Sequence, residues 1–443
     1  MDILMRVVQL IASLSILVII HELGHFMFAK LFKCRVEKFY LFFDPWFSLF
    51  KKKIGDTEYG VGWLPLGGYV KISGMIDESM DKEQMKEEPK AWEFRSKPTY
   101  QRLLIMLGGV MMNVIGACII YVGISYCYGE TFLLNKNAKY GVVASAPAKD
   151  AGFMDGDKII SIDGKSPYKF SEVASMIVLD HAKEIVVDRQ GKEETITLSD
   201  DFIAGVVSLK APLFEVRQKL EFTVSGFANE SPAQNAGVQK EDVFVGFDGK
   251  TLTYYDEFQK YLREHANETV AFDVQRGEEL KSIDVPIKNG MLGIRMELNN
   301  TDDLELTTIK YSLLQSIPNG FKLAGEKLSS YVKSLGLLFK PKTNALGGLG
   351  GFGSLAGMFP TSWNWQTFWN LTAFLSVILA VMNLLPIPGL DGGHVMFVLY
   401  EMITGRKPSD KFMEYAVTAG FIFLIALLLF ANGNDIYRAI TGK

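Results

Sequence analysis

The sequence contains few cysteines, few histidines and no excess of either charge sign. Its three cysteines, Cys34, Cys118 and Cys127, are too few for a disulfide framework, and none forms a CxxC pair that could supply a thiolate metal site. The 46 basic and 50 acidic residues nearly cancel, with a formal net charge of -4. This balance argues against a nucleic-acid polymer as partner.

Long apolar runs are abundant instead. With 48% hydrophobic and 22% charged residues, the chain is too apolar for an ordinary soluble protein and too charged for a bundle of membrane helices alone. A bilayer span needs about 20 apolar residues, and four runs meet this requirement: 7–29, 103–128, 361–390 and 415–434. No small-residue cleavage site follows the first run, so we interpret it as a retained span and not a signal peptide.

The distribution of basic residues predicts the orientation of these spans. Near the span ends, twelve Lys or Arg lie in the loops after the first span, before the second, and between the third and fourth, against six on the opposite side. Loops rich in Lys and Arg stay in the cytoplasm. We therefore expect both termini and the segment 129–360 to lie outside it.

The segment between the second and third spans repeats itself at an offset of 85 residues. Residues 146–152 recur as 231–237, and residues 162–165 recur as 247–250. One period used twice predicts two tandem domains and not a solenoid.

The repeated pattern resembles PDZ domains of bacterial proteases, over about 135–215 and 220–300. Domains of this kind bind an extended peptide as an added strand, although the two copies could equally be spacers that control access. The second copy has Glu241 where the first has Gly156, so its loop need not have the same shape.

The sharpest chemical signal is His21-Glu22-Leu23-Gly24-His25, inside the first apolar run. On a helix, residues i and i+4 share one face, so two imidazoles can bind one Zn²⁺ while the adjacent glutamate reaches its water. A histidine pair satisfied within a helix bundle is the alternative. Ionisable groups are costly inside a membrane and are usually functional there, which favours the metal site.

A catalytic zinc needs a third protein ligand and an open position for water. Asp391 is a better candidate than Glu37 or Asp44, the acidic residues that follow HELGH more closely. Pro386 and Pro388 should interrupt the third span before it. Odd-numbered spans run in the same direction, so the C-terminal ends of the first and third meet at one membrane face. A turn or helix cap is the alternative role for Asp391.

The HExxH motif in the first span, the LDG motif ending at Gly392 and the PDZ-like copies between them resemble the site-2 protease family of intramembrane metalloproteases. The resemblance covers nearly the whole chain. It implies a polytopic α-helical membrane protein with four transmembrane helices, a membrane-associated β-hairpin and two tandem PDZ-like α/β domains. It also implies a bacterial inner-membrane location, with the active site near the cytoplasmic face.

The same resemblance implies roles for individual residues. His21, His25 and Asp391 would bind Zn²⁺, and Glu22 would act as general base and then general acid. Asn383 matches a position that holds substrate, whereas the second asparagine that some relatives carry upstream is missing here. His394 could be a fourth ligand, a support for the ligands, or an ordinary interfacial histidine.

Further substrate contacts are expected from two segments. A Gly-rich stretch in the cytoplasmic region 31–102 predicts a hairpin at about 57–73. It resembles the membrane-reentrant β-loop of the same family, and this resemblance implies that its edge strand, with Gly60, Val61 and Gly62, pairs with an unwound substrate. A plain surface hairpin is the alternative. The other segment carries Asn383 together with the following prolines, and its predicted contact residues are Asn383, Pro386 and Pro388.

The predicted transmembrane helices are consequently 1–30, 103–128, 361–395 and 415–434, and the predicted PDZ-like domains are 135–215 and 220–300. The segment 31–102 is the cytoplasmic region, and 310–360 is an amphipathic helix followed by a Gly-rich linker. The predicted activity is zinc-dependent cleavage of transmembrane segments. The resemblance implies an anti-sigma factor or a remnant signal peptide as substrate, and PDZ-like domains that gate access. The alternative is a PDZ-bearing membrane scaffold with a structural metal, and a metal transporter ranks third because 129–360 would have no evident task.

Overall fold

The computed structural model describes residues 2–75, 88–207, 212–220, 222–251, 253–298, 304–338 and 350–441. They form two compact units. The helical unit draws on Met1–Glu130, Lys310–Phe339 and Leu346–Lys443, and the tandem unit on Thr131–Ile309.

In chain order the described helices are α1 (Asp2–Leu31), α2 (Thr99–Tyr128), α3 (Ala146–Asp150), α4 (Glu172–Leu179), α5 (Asp200–Val207), α6 (Pro232–Asn235), α7 (Tyr255–Glu264), α8 (Leu313–Leu338), α9 (Phe352–Gly357), α10 (Trp365–Leu384), α11 (Asp391–Thr404) and α12 (Asp410–Thr441). The described strands are β1 (Val36–Ile54), β2 (Thr57–Ile72), β3 (Glu130–Leu133), β4 (Val142–Ala144), β5 (Lys158–Ile162), β6 (Glu184–Arg189), β7 (Lys192–Thr197), β8 (Phe214–Val216), β9 (Phe222–Phe227), β10 (Val243–Phe247), β11 (Lys250–Thr251), β12 (Thr269–Arg276), β13 (Glu279–Pro286), β14 (Ile294–Leu298) and β15 (Leu306–Ile309).

Four helices are long and apolar enough to cross a membrane, namely α1, α2, α10 and most of α12. They coincide with the four apolar runs of the sequence. Helices α1, α2 and α12 begin before the runs at 7, 103 and 415, because a helix continues through charged or polar residues at its ends whereas an apolar run stops there.

The third span, predicted within 361–395, is interrupted where the sequence predicts an interruption. Helix α10 ends at Leu384, and Asp391 opens the separate helix α11. Pro386 and Pro388 lie in the break, where their missing N–H groups cannot continue a helical ladder. The carboxylate of the LDG motif therefore stands in the first turn of a new helix.

Helix α2 lies at the centre of the helical unit. It contacts α1, α8, α10 and α11, and its buried side chains include Ile105, Met106 and Ala117. The helices that carry predicted site residues thus all pack against α2, namely α1, α10 and α11.

Helix α8 corresponds to the predicted amphipathic helix at the start of 310–360. It packs against α2, where the Asn319 side-chain amide donates to Ser125 Oγ at 3.0 Å. Most of the Gly-rich linker that the sequence places after this helix, residues 339–349, lies outside the described residues.

Strands β1 and β2 form a two-stranded antiparallel sheet whose register is interrupted by bulges. Residues 48–54 pair with 57–62 around the turn at Gly55, and residues 38–41 pair both with 58–61 and with 68–71. The predicted hairpin at about 57–73 is therefore different in detail, because this segment pairs with the preceding strand and not with itself.

The tandem unit repeats one strand order. Strands β5, β6 and β7 are neighbours in the first copy, and β10, β12 and β13 are neighbours in the second. In each copy one helix, α4 or α7, lies between the first two of these strands in the chain. In the second copy, β9 and β14 extend the sheet.

An arginine–aspartate clasp recurs in both copies. Arg189 donates to both carboxylate oxygens of Asp157, at 2.8 and 2.7 Å, and Arg276 does so to Asp242, at 2.7 Å each. Both aspartates are buried, with 1% and 0% of their surface exposed. A buried carboxylate needs such a partner, because leaving it unpaired in the interior costs several kcal/mol.

The loop that carries Gly156 or Glu241 keeps its shape in both copies. The backbone φ angles are +98° and +71°, and the two N–H groups donate to equivalent carbonyls, those of Val142 and Val224, at 2.8 and 2.9 Å. The glycine-to-glutamate difference changes the side chain and leaves the turn intact, at the cost of a left-handed non-glycine residue.

Candidate metal centre

Two histidines of α1 converge on one point. Their spacing of one helical turn brings the Nε2 atoms of His21 and His25 to 3.2 Å from each other, with ring centroids 4.8 Å apart and the rings inclined by 77°. The two lone-pair positions are thus presented to the same small volume.

Asp391 completes the site from the start of α11. Its Oδ2 atom lies 3.1 Å from His21 Nε2 and 3.3 Å from His25 Nε2. The side chains of His21, His25 and Asp391 are 12%, 9% and 19% exposed. The break between α10 and α11 is what turns this carboxylate toward α1.

The donor set fits a zinc ion. Among the described residues, His21, His25 and Asp391 are the one group of three or more metal-binding side chains, and their ligand atoms all lie within 4.8 Å of one another. Asp391 Oδ2 is buried and receives no hydrogen bond from the described part of the chain. Two imidazole nitrogens and one carboxylate oxygen leave a fourth position open, as catalytic zinc sites do.

A backbone carbonyl orients His25. Nδ1 of this ring lies 2.9 Å from the carbonyl oxygen of Ile105 on α2. A carbonyl can only accept, so Nδ1 carries the proton and donates, which leaves the Nε2 lone pair free for a metal.

Glycine contacts allow α2 to approach this closely. A Cβ at Gly109 would overlap His21 Cε1 and His25 Nε2, and a Cβ at Gly24 would overlap the carbonyl of Gly108. The absence of side chains at these positions lets the backbones of α1 and α2 meet beside the histidines.

Two further predicted residues, Glu22 and Asn383, lie near this centre. Glu22 is close enough to interact electrostatically with His21, His25 and Asp391. The Asn383 side-chain nitrogen lies 3.2 Å from His21 Nε2.

Three other predicted residues are placed around the site and not at its ligand atoms. Pro386 and Pro388 shape the break before Asp391. His394 lies outside the metal-sized group among the described residues and lines a separate cavity with Arg102 and Glu401.

Gly60 and Val61, predicted at a substrate-pairing edge, lie inside the sheet. Gly60 pairs with Tyr40 on one side and Lys51 on the other, and Val61 is likewise flanked on both sides. Backbone groups that are paired on both sides cannot accept an added strand. Gly62 pairs on one side, with Ser48, so its predicted substrate contact stays a prediction.

One edge of the sheet is instead formed by residues 68–71, which among the described residues pair on one side only, with 38–41, and residues 51–54 form the opposite edge. An added Cβ at Gly68 would meet Val18 Cγ1 at 2.6 Å and Glu22 Cγ at 3.4 Å. The edge at 68–71 therefore runs directly beside Glu22.

Sequence reasoning missed the supports of the site: the Ile105 carbonyl, the Gly68 approach and Asn113, whose side chain faces His21. The position of a backbone carbonyl and the pairing register of β1 with β2 cannot be predicted from residue types. Asn113, in contrast, is recognisable in the sequence as a polar residue within an apolar span.

Comparisons with known proteins agree with this geometry. The family model described as peptidase family M50 matches residues 9–427. The regulator of sigma E protease of Haemophilus influenzae is 28% identical over 97% of this chain and 98% of its own length. A Rickettsia conorii protein, provisionally named as a zinc metalloprotease, is 29% identical over 98% of this chain and 99% of its own. The chain is a metalloprotease and belongs to peptidase family M50.

Proposed function

We propose that this enzyme uses zinc to cleave transmembrane segments of other membrane proteins within the bilayer. The observation that carries the proposal is the location of the ligands. His21 and His25 lie within a helix that is apolar enough to span a membrane, and Asp391 follows another such helix after a short break. A protease centre built there acts on membrane-embedded substrate.

Zinc is the cofactor. The donor set suits it, and the relatives named as zinc metalloproteases support the same assignment. When bound, zinc supplies a Lewis acid for the scissile carbonyl and lowers the pKa of a water molecule toward about 7. His21, His25 and Asp391 are its three ligands.

Glu22 is the proton carrier. It accepts the proton of the attacking water as general base and delivers it to the leaving amine as general acid. Glu22 follows His21 directly on α1, and an added Cβ at Gly68 would meet Glu22 Cγ at 3.4 Å, which supports a carboxylate close to both the ligands and the sheet edge.

The substrate is held as an extended strand. A transmembrane helix hides its carbonyls in its own hydrogen bonds, so it must unwind locally and its freed groups need new partners. The open edge at 68–71 offers backbone partners. The Asn383 amide, 3.2 Å from His21 Nε2, is placed to donate to a substrate carbonyl.

The tandem unit gates access. Its two copies have the strand repetition expected of paired PDZ-like domains, and a pair of folded domains outside the cytoplasm would exclude substrates with bulky outer parts. Suitable substrates are an anti-sigma factor or a remnant signal peptide. The name of the Haemophilus influenzae relative supports the first of these.

The protein is an integral membrane protein of the bacterial inner membrane, in contact with lipid along its four apolar helices. We place the termini and the tandem unit outside the cytoplasm and the active site near the cytoplasmic face. The distribution of Lys and Arg around the span ends supports this orientation.

The Glu22→Gln variant tests the catalytic assignment. Glutamine has nearly the same shape but cannot take a proton, so the purified variant, reconstituted in liposomes, should keep stoichiometric zinc and lose cleavage of a model transmembrane substrate. Zinc content is measured by atomic absorption and cleavage by gel mobility. Cleavage at the wild-type rate would remove Glu22 from the mechanism.

A further inference from the structure

His21 needs the same tautomer control as His25. Its Nε2 atom faces Asp391 Oδ2 and must keep a free lone pair to bind metal. The proton of the neutral ring then resides on Nδ1, which requires a hydrogen-bond acceptor. For His25 the acceptor is the Ile105 carbonyl.

The group that faces His21 Nδ1 is the side-chain amide of Asn113. Its Nδ2 atom lies 3.2 Å from His21 Nδ1, while its Oδ1 atom is buried with no hydrogen-bond partner among the residues that the structure describes. Asn113 is 0% exposed. With Nδ1 protonated, this orientation would set a donor against a donor and leave an acceptor unsatisfied.

Turning the amide by half a revolution removes the donor–donor clash. The oxygen and nitrogen ends of an asparagine amide have nearly the same shape, so either can occupy the position next to His21. After the turn, Oδ1 accepts the Nδ1–H of His21 in the space that Nδ2 occupied.

We propose that Asn113 is a positioning residue of the zinc site, whose Oδ1 accepts the Nδ1–H of His21 and thereby holds the tautomer that presents Nε2 to the metal. This proposal rests on the proposed zinc-binding function of His21, His25 and Asp391. Asn113 touches neither metal nor substrate, and acts through His21.

One face of α2 then carries all three supports of the histidine pair. At successive turns it presents the Ile105 carbonyl to His25, the bare Gly109 to both rings, and the Asn113 amide to His21. The backbone carbonyl of Asn113 accepts a hydrogen bond from Ser376 Oγ of α10 at 2.8 Å. This bond fixes α2 where the amide meets the ring.

The test is the zinc dissociation constant of purified variants, measured by competition with a chelator. Asn113→Leu keeps the side-chain volume without an acceptor and should weaken zinc binding by about 10- to 100-fold. Asn113→Asp keeps an acceptor oxygen and should bind zinc as tightly as wild type or more tightly. The matched control Asn319→Leu removes an amide that contacts Ser125, elsewhere on α2, and should change nothing.

A spectroscopic readout separates positioning from packing. With only five histidines in the chain, the ¹⁵N spectrum of histidine-labelled, zinc-loaded protein should show a protected Nδ1–H on His21. This signal should persist in Asn113→Asp and exchange rapidly in Asn113→Leu. If Asn113→Leu fails to fold, the wild-type spectrum decides, because a His21 ring without a protected Nδ1–H overturns the proposal.

Wild-type zinc affinity in a folded Asn113→Leu, or an equal loss in Asn113→Asp and Asn113→Leu, also overturns it. The His21→Ala variant distinguishes this failure from failure of the zinc site itself. If His21→Ala keeps stoichiometric zinc, the proposed function is wrong. If it loses zinc while Asn113→Leu does not, only the role of Asn113 is wrong.

Discussion

At the residue scale, the metal centre depends on a missing side chain as much as on its ligands. Gly109 lies opposite both histidines, and any Cβ there would occupy the space of their ring atoms. A helix can carry ligands at the right spacing and still bind no metal if the neighbouring helix pushes the rings aside.

The Gly109→Ala variant should therefore weaken zinc binding by at least about tenfold, since ligands displaced by a few tenths of an ångström lose coordination geometry. The matched control is Gly123→Ala on the same helix, where an added Cβ meets nothing within 4 Å. Both variants are compared by zinc competition in detergent. Equal affinities would show that α2 can move away from the histidines at little cost.

The ligands were predictable from sequence because their chemistry is local or topological. His21 and His25 share a helix face by spacing alone, and Asp391 follows from the direction of odd-numbered spans. The Ile105 carbonyl was not predictable, since any residue type supplies a carbonyl.

At the element scale, the break between α10 and α11 and the register of β1 with β2 set the geometry around the site. Pro386 and Pro388 predict the break. The register of β1 with β2, in contrast, cannot be predicted from residue types. It is determined by pairing between distant residues and by bulges, and a shift in register moves residues from the interior of the sheet to its edge. This is why the sequence predicts an edge at Gly60 and Val61, which lie inside the sheet, and does not predict the edge at Gly68.

The arginine–aspartate clasp of the second tandem copy makes a pH-dependent contribution to stability. Burial by itself would raise the pKa of Asp242, but the hydrogen bonds from Arg276 and from the Gln239 N–H outweigh it and hold the pKa below its ordinary value. A depressed carboxyl pKa stabilises the fold above the unfolded value of about 3.9, and this contribution is lost as the pH falls through the folded pKa.

The Asp242→Asn variant should accordingly lower the stability of this domain by about 1–3 kcal/mol at pH 7, because Arg276 loses its carboxylate partner while its own side chain, 25% exposed, stays partly hydrated. The loss should shrink as the pH falls below about 4, where the carboxyl of the unfolded chain becomes protonated, and it should vanish once the pH has fallen through the lower pKa of the folded-state carboxyl. Thermal unfolding of the full chain measures it. Asp284→Asn, at an exposed position of β13, is the control and should unfold like wild type. A pH-independent difference would contradict the assignment.

At the scale of the whole molecule, composition alone separated apolar spans from polar domains. Four runs and one repeat account for the described helical and tandem units. Composition does not predict the separate roles of the helical unit and the tandem unit, because gating depends on which substrates reach the site.

Replacing residues 131–309 with a flexible linker tests these separate roles. The zinc content should stay stoichiometric, since all three ligands lie in the helical unit. Cleavage should extend to a substrate that still carries a folded outer domain, which the full chain leaves uncut. The two proteins are compared on matched long and short substrates in liposomes, and an unchanged preference for the short one would contradict a gating role.

The position of the scissile bond tests the central claim most directly. The full chain, reconstituted in liposomes with a single-span substrate, is incubated with and without a zinc chelator, and the fragments are identified by mass spectrometry. We expect one cut inside the apolar segment of the substrate, abolished by the chelator and restored by added zinc. A cut confined to the aqueous flanks, or cleavage that persists after zinc is removed, would contradict a zinc protease that works within the membrane.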